Sequence, residues 1–179
     1  MRNRVVVPLP VREGKFTLPG CEPGHSYPVL FLDAKNQCGA VVELAAHVEK
    51  VTAPSVRLEA CGTAKLRVLD PDGFPAAGSK LEVSVLLEPD RVTGDAAALA
   101  ASPNLADPYA ASWIDTINYG EDLETDEEGW ATLPALVHGA RYRVAACWDG
   151  RWTCTKPFDV RAGETVTLAD LNLRRPRGR

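Results

Sequence analysis

One pattern of residues occurs twice in this chain with constant spacing. Three pairs of residues are separated by the same 115 positions (129 minus 14, 139 minus 24, 142 minus 27): Gly14 and Gly129, Gly24 and Gly139, Tyr27 and Tyr142. In both places the first glycine leads into a short segment that contains Thr-Leu-Pro, and the tyrosine opens a longer apolar segment. A glycine turn followed by a short alternating segment is typical of β structure. The chain is therefore predicted to repeat one β unit.

Short strand candidates separated by turn residues run through most of the chain. The clearest places Leu66 and Val68 on one face of a strand and Lys65 and Arg67 on the other. Turns such as Asp70-Pro71-Asp72-Gly73 separate the candidates, because proline presets its own φ and glycine tolerates the left-handed region. The predicted strands cover residues 15–18, 27–32, 40–44, 55–59, 64–69, 80–87, 141–148, 152–158 and 165–173, and a further short strand is predicted directly after Gly129.

Residues 89–121 interrupt this β pattern. The segments 95–101 and 109–117 are rich in good helix formers, and Asp107 with Pro108 has the chemistry of a helix start. The sequence predicts a short, mainly helical insertion here. Trp113 and Ile117, four positions apart, would pack it against an open end of the sandwich.

Asp149-Gly150 marks a hairpin with two candidate registers. A two-residue loop pairs Trp148 with Arg151 and sets Arg151 and Thr153 on the apolar face of the preceding strand. A three-residue loop instead brings Trp152 and Cys154 to that face. We expect the three-residue loop, because it keeps the face apolar and places Trp148 at the hairpin tip.

The order of these motifs resembles a known family. The resemblance rests on an opening strand, the turn 72–78, the acidic turn 125–129, the segment 139–142, a hairpin and the closing segment 163–168. Together they resemble a carboxypeptidase regulatory-like domain, which has a transthyretin-like Greek-key β-sandwich and is close to the B-type repeats of bacterial surface adhesins. The resemblance implies a partial copy at 1–59 and a complete domain at 60–173 with the insertion 89–121. The basic run at 174–179 has four arginines and no apolar residue, which predicts a disordered tail.

The resemblance also carries expectations about function. It implies a non-catalytic structural or interaction module found in tandem within larger, often extracytoplasmic, bacterial proteins. The partial first copy predicts either that the chain is the C-terminal piece of such a protein or that a partner strand completes the copy. No signal peptide is visible, since Pro8 and Pro10 interrupt the first apolar segment.

Charge and motifs argue against several other classes. A net charge of -4 and a pI near 5.4 give no basic face for nucleic acid, and no segment approaches the ~20 apolar residues of a membrane span. The sequence has no nucleophile elbow, P-loop or Rossmann glycine motif. The Tyr-Arg-Gly-Ser ending of the related hydroxyisourate hydrolases is also absent. We expect no enzyme activity and no cofactor. A hydrolase would need a histidine and a carboxylate that meet in a cleft, and the histidine placed to contribute, His138, is more typical of an ordinary turn residue.

Two sets of residues are candidates for binding. Trp148, Trp113 and Tyr119 could bind carbohydrate or peptide, or could instead seal the ends of the sandwich. Six carboxylates fall within residues 121–128, so Asp122, Glu124 and Asp126 are candidate calcium ligands. The alternative is a solvated acidic turn, because the glycine that an EF-type loop needs at its centre follows the cluster instead.

The five cysteines show no C-x-x-C spacing and are predicted to be free, mostly buried thiols. Cys147 and Cys154 are not directly opposed in either hairpin register, which argues against a disulfide. The adhesin-type relatives also suggest an isopeptide bond between Lys65 and Asn172, with Glu82 as the acid. Strand alternation argues against that bond, because it turns Lys65 outward.

Overall fold

A computed structural model describes residues 11–18, 21, 24, 26–45, 55–86, 110–112 and 123–175, and within these residues every regular element is a β-strand. The strands, in chain order, are β1 Ser26–Asp33, β2 Cys38–Ala45, β3 Glu59–Ala60, β4 Gly62–Leu69, β5 Leu81–Leu86, β6 Ala110–Ser112, β7 Trp130–Leu136, β8 Arg141–Trp148, β9 Arg151–Cys154, β10 Phe158–Asp159, β11 Thr165–Thr167 and β12 Leu171–Asn172. No helix of the described residues is long and apolar enough to cross a membrane.

Two sheets form a β-sandwich, as the sequence predicted. The first has the order β10-β8-β5-β6, with β9 beside the second half of β8. In the second, β4 pairs in parallel with β11 and β12 on one side and antiparallel with β7 on the other. A separate small sheet of order β1-β2-β3 precedes them in the chain.

The sandwich core is built from alternate residues of both sheets. In β4, Leu66 and Val68 are fully buried while Lys65 between them is exposed, as the alternation predicted. The opposing sheet contributes two similar rows, and the largest fully buried side chain is Tyr142. The hydroxyl of Tyr142 accepts a 2.7 Å hydrogen bond from the Val137 N–H and lies 3.3 Å from the Val137 carbonyl. Burial raises the pKa of Tyr142, so this side chain stays neutral.

The predicted helical insertion is not supported where the structure describes it. Ala110–Ser112, inside the predicted helix 109–117, forms strand β6 and pairs antiparallel with β5 at Leu86, Val85 and Ser84. The open edge of β5 offers a row of backbone hydrogen-bonding groups, and pairing with it outweighs a modest helix propensity. The rest of the predicted insertion lies outside the described residues.

Several strand boundaries also differ from the sequence prediction. Residues 15–18 form no strand, and Lys15 makes only an isolated bridge with Arg12. Of the predicted strand 55–59, only Glu59 is in a strand. The last predicted strand is interrupted at residues 168–170, so that β11 and β12 pair with different halves of β4. In the predicted tail, the Arg175 side chain contacts the Asp72 carboxylate, while residues 176–179 lie outside the described part.

The β8–β9 hairpin has the two-residue loop, so the expected three-residue loop is wrong. Trp148 pairs with Arg151 and Cys147 with Trp152. Asp149 and Gly150 both have positive φ, 47° and 74°. Two consecutive positive φ values make the loop whose twist matches the right-handed twist of the strands, and this preference outweighs an apolar face.

The small sheet packs on the sandwich through one of its faces. Leu30, Leu32 and Val41 contact the sandwich core. Gly39 lies close to the sandwich, since a methyl group added to it would be 2.5 Å from Val137 Cγ2. It would also be 2.8 Å from the Phe31 carbonyl oxygen of the neighbouring strand β1. The absence of a side chain at Gly39 therefore lets the two parts approach each other.

Two threonines of the β8–β9 hairpin provide a test of its register. The Thr153 hydroxyl is buried and has no hydrogen-bond partner, whereas the Thr155 hydroxyl accepts a 3.1 Å bond from the Val144 N–H. We expect Thr153→Val to raise the free energy of unfolding by about 1 kcal/mol and Thr155→Val to lower it by about 1–3 kcal/mol. Urea denaturation measures both, and equal effects of the two changes would contradict this register.

Gly39→Ala tests the contact between the small sheet and the sandwich. The added methyl group overlaps Val137, so we expect a loss of about 1–3 kcal/mol in the free energy of unfolding. Val137→Ala removes the two methyl groups that the new side chain meets. In a double-mutant cycle the two losses should therefore be less than additive, and simple additivity would show that the residues are not in contact.

Candidate functional site

The face of the small sheet that points away from the sandwich is apolar along most of its length. Because side chains alternate between faces, the residues beside Leu30 and Leu32 in β1 point away from the core that those leucines contact. Three cross-strand pairs of that kind lie in a row, and all six side chains are half-buried: Tyr27 with Leu44, Val29 with Val42, and Phe31 with Ala40. We call this strip the outer face. Both faces of one two-stranded ribbon are thus apolar.

Phe16 packs at one end of the outer face. Its ring lies 4.8 Å from that of Phe31, centroid to centroid, with the planes inclined at 69° in an edge-to-face contact. Phe16 covers the Phe31 end of the strip, while the strip extends from there past Val29 to Tyr27.

The outer face of β1 has a counterpart in the sandwich. Strands β1 and β8 are both eight residues long, and their bounds differ by the repeat spacing (141 minus 26 and 148 minus 33). The paired turn glycines match as well: φ is 71° at Gly14 and 76° at Gly129, and 81° at Gly24 and 88° at Gly139. By the same spacing, the outer-face residues of β1 correspond to Tyr142, Val144 and Ala146, each fully buried in the core.

The structure describes one of the three predicted aromatic binding residues. Trp148 is 38% exposed, and Trp152 on the facing strand is 39% exposed. They belong to neighbouring cross-strand pairs, so their side chains point to opposite faces of the hairpin and form no shared flat platform. Trp113 and Tyr119 lie outside the described residues, and a binding site built from these three residues stays a prediction.

The acidic turn uses one of its carboxylates to organise the backbone. Asp126 Oδ1 accepts hydrogen bonds from the N–H groups of Trp130 at 2.7 Å and Glu128 at 3.1 Å. Glu124 lies 4.0 Å from Lys80, and Asp122 is outside the described residues. The described part of the chain holds no group of three or more His, Cys, Asp or Glu side chains that could bind a metal. The predicted calcium ligands are thus not tested as a set.

The remaining candidates for chemistry have structural partners. His138 lies in a turn, and its Nδ1 is 3.0 Å from the Val160 carbonyl. All five cysteines are free thiols. Burial raises the pKa of Cys61 to about 11, and burial also raises the pKa of Cys154, so both thiols are protonated at neutral pH.

Sequence reasoning missed the outer face as a site. It predicted the strand at 27–32, but it did not note that apolar residues fall on both faces of that strand. The signal was available in the run Tyr27-Pro-Val-Leu-Phe-Leu32, which has no polar residue to face water.

No protein-family profile matches this chain, and no curated protein matches its sequence. Solved structures with some likeness include the TIE protein of Bacillus anthracis, at 20% identity and a TM-score of 0.35 over 75% of this chain and 21% of that one. The major pilin SpaD of Corynebacterium diphtheriae has 22% identity and a TM-score of 0.38, over 63% of this chain and 29% of the pilin.

A third similar structure is PA1324 of Pseudomonas aeruginosa, a candidate carbohydrate binding protein. It shares 12% identity with a TM-score of 0.33, over 64% of this chain and 90% of that protein. Of the first two proteins, the TIE protein and SpaD, the present chain spans less than a third of the length.

Proposed function

We propose that this chain is a non-catalytic interaction module of a larger protein assembly and that the outer face is its contact surface. In this proposal a partial repeat at 1–59, which carries the outer face, precedes a complete sandwich domain at 60–173. The observation that carries the proposal is the ribbon with two apolar faces, one held by the sandwich core and the other, among the described residues, contacted at one end by Phe16.

The size of the outer face supports a role in association. Three adjacent cross-strand pairs of apolar side chains form a continuous strip, which is the form of a surface that packs against another β-sheet. Sheets pack face to face about 10 Å apart, with apolar side chains of the two faces interdigitating. A second β domain therefore matches this surface in shape and in chemistry.

The polar candidates support the non-catalytic part of the proposal. The Asp126 carboxylate is held by two backbone N–H groups, and the His138 ring is held against a backbone carbonyl. The Asp126 bonds close a turn, and the His138 contact joins the turn before β8 to Val160, so each contact has a structural role.

A second candidate function is carbohydrate or peptide binding at the β8–β9 hairpin. The exposure of Trp148 and Trp152 favours it, because a large aromatic ring at a turn is costly to leave in water. It ranks second because the two rings lie on opposite faces of the hairpin, so each would have to bind a ligand alone.

Val29→Glu tests the contact surface in the intact chain. Without its partner, a half-exposed apolar strip drives self-association, so we expect the native mass of the wild type to rise with concentration. A carboxylate in the middle of the outer face should keep the variant monomeric. Light scattering in line with size exclusion, over a hundredfold range of concentration, measures this.

Thr132→Glu is the matched control for that experiment, because it adds the same charge at an exposed position of the sandwich. It should associate like the wild type. A wild type that stays monomeric throughout, or a Thr132→Glu variant that loses association to the same extent as Val29→Glu, would contradict the proposal.

A further inference from the structure

Within the described part of the chain, strand β1 has fewer strands beside it than its counterpart β8. β8 lies between β5 on one side and β9 with β10 on the other. β1 pairs with β2 along all eight of its residues, as β8 pairs with β9 through the following turn. On the second edge of β1, the described residues supply no strand. At the repeat spacing, that edge corresponds to the edge of β8 that β5 occupies.

The backbone of β8 shows which groups of β1 face that second edge. The Val144 N–H donates to the Thr155 hydroxyl, and the Val144 carbonyl accepts from the Thr155 N–H, so the peptide groups of Val144 face away from β5. The groups of Arg143 and Ala145 therefore face β5, because the direction alternates along a strand. At the repeat spacing, these two residues correspond to Pro28 and Leu30.

Pro28 supports the same assignment independently. It lies within β1, opposite Glu43 in β2. A proline has no N–H to donate, so within a paired strand it is tolerated where its nitrogen faces away from the partner. The alternation and the proline agree that Pro28 and Leu30 face the second edge.

We propose that the second edge of β1 accepts an antiparallel strand from another β domain, and that this strand has the pattern of β5. In β5 every second residue, Leu81, Val83 and Val85, is buried in the core. Val83 pairs with Val144, the counterpart of Val29. A strand of this pattern on β1 would place its apolar side chains beside Val29 and so extend the outer face. This inference rests on the proposed function and specifies the partner.

Pro28 makes this edge selective. Arg143, the counterpart of Pro28, pairs with Ser84 in the β5–β8 ladder. With proline in that place, a strand added to β1 would receive one backbone donor fewer. Proline on an exposed edge is a common protection against unwanted strand addition. A strand that lacks matching apolar side chains would therefore gain too little from the remaining backbone bonds.

A peptide with the sequence of residues 79–86, capped at both ends, is the probe. Added to the full chain, it should slow hydrogen exchange at the Leu30 N–H, which faces the second edge. The Val29 N–H faces β2 and should already exchange slowly. Pro28→Ala restores the missing donor and should tighten peptide binding roughly three- to tenfold, the worth of one hydrogen bond. The control peptide replaces its residues Val83 and Val85 with lysine and should not bind.

Three outcomes of this experiment would contradict strand addition at β1. If the Leu30 N–H is as protected as that of Val29 before peptide is added, the chain fills its own edge and the inference is wrong. It is also wrong if the peptide leaves Leu30 unchanged or if Pro28→Ala does not alter the affinity. Should the peptide fail while Val29→Glu still abolishes self-association, strand addition is excluded and the contact surface of the proposed function stands.

Discussion

A two-stranded ribbon is stable in water only where one of its faces is buried against another element, and a second apolar face favours a second contact. Isolated hairpins are marginal, and burial of one face against another element supplies most of their stability. In this chain the sandwich covers the face of β1–β2 that carries Leu30 and Leu32, and Gly39 permits the close approach. The opposite face carries three further apolar pairs, of which Phe16 covers one end. The proposed role in association follows from this imbalance.

The buried core of the described residues lies in the sandwich. Its core takes alternate residues from four strands, and Tyr142 fixes the turn before β8 by bonding both polar groups of Val137. Val137 is also the residue that Gly39 approaches. The turn that closes the sandwich core is therefore the same turn on which the small sheet rests, so the position of the outer face is determined by the core beneath it.

Much of this fold could be predicted from the sequence, because alternation and turn residues are local signals. The bounds of β8 and the burial of Leu66 and Val68 follow directly from them. The hairpin loop was predicted wrongly because the apolar face was given more weight than the Asp149-Gly150 turn. The two-residue turn forms even though it leaves the buried Thr153 hydroxyl without a hydrogen bond. Ala110–Ser112 was predicted as helix because helix propensity is local, whereas pairing with β5 is a long-range contact.

Local signals show that both faces of β1 are apolar, but they could not show which of the two faces the sandwich covers. A strand with apolar residues on both sides is equally compatible with burial in the middle of a protein and with a contact surface. Only the placement of the ribbon against the sandwich shows which face is already covered. The repeat spacing then relates the two strands. The residues of β8 that correspond to the outer face of β1 are buried in the sandwich core.

The most direct test compares one substitution at two counterpart positions. Val29 lies on the outer face, and Val144 is the fully buried residue 115 positions later (144 minus 29). Replacing valine with threonine keeps the shape and adds a hydroxyl. We predict that Val144→Thr lowers the free energy of unfolding by about 1–3 kcal/mol and that Val29→Thr changes it by less than about 0.5 kcal/mol in urea denaturation. An equal loss at both positions would show that the outer face is interior and would contradict the account.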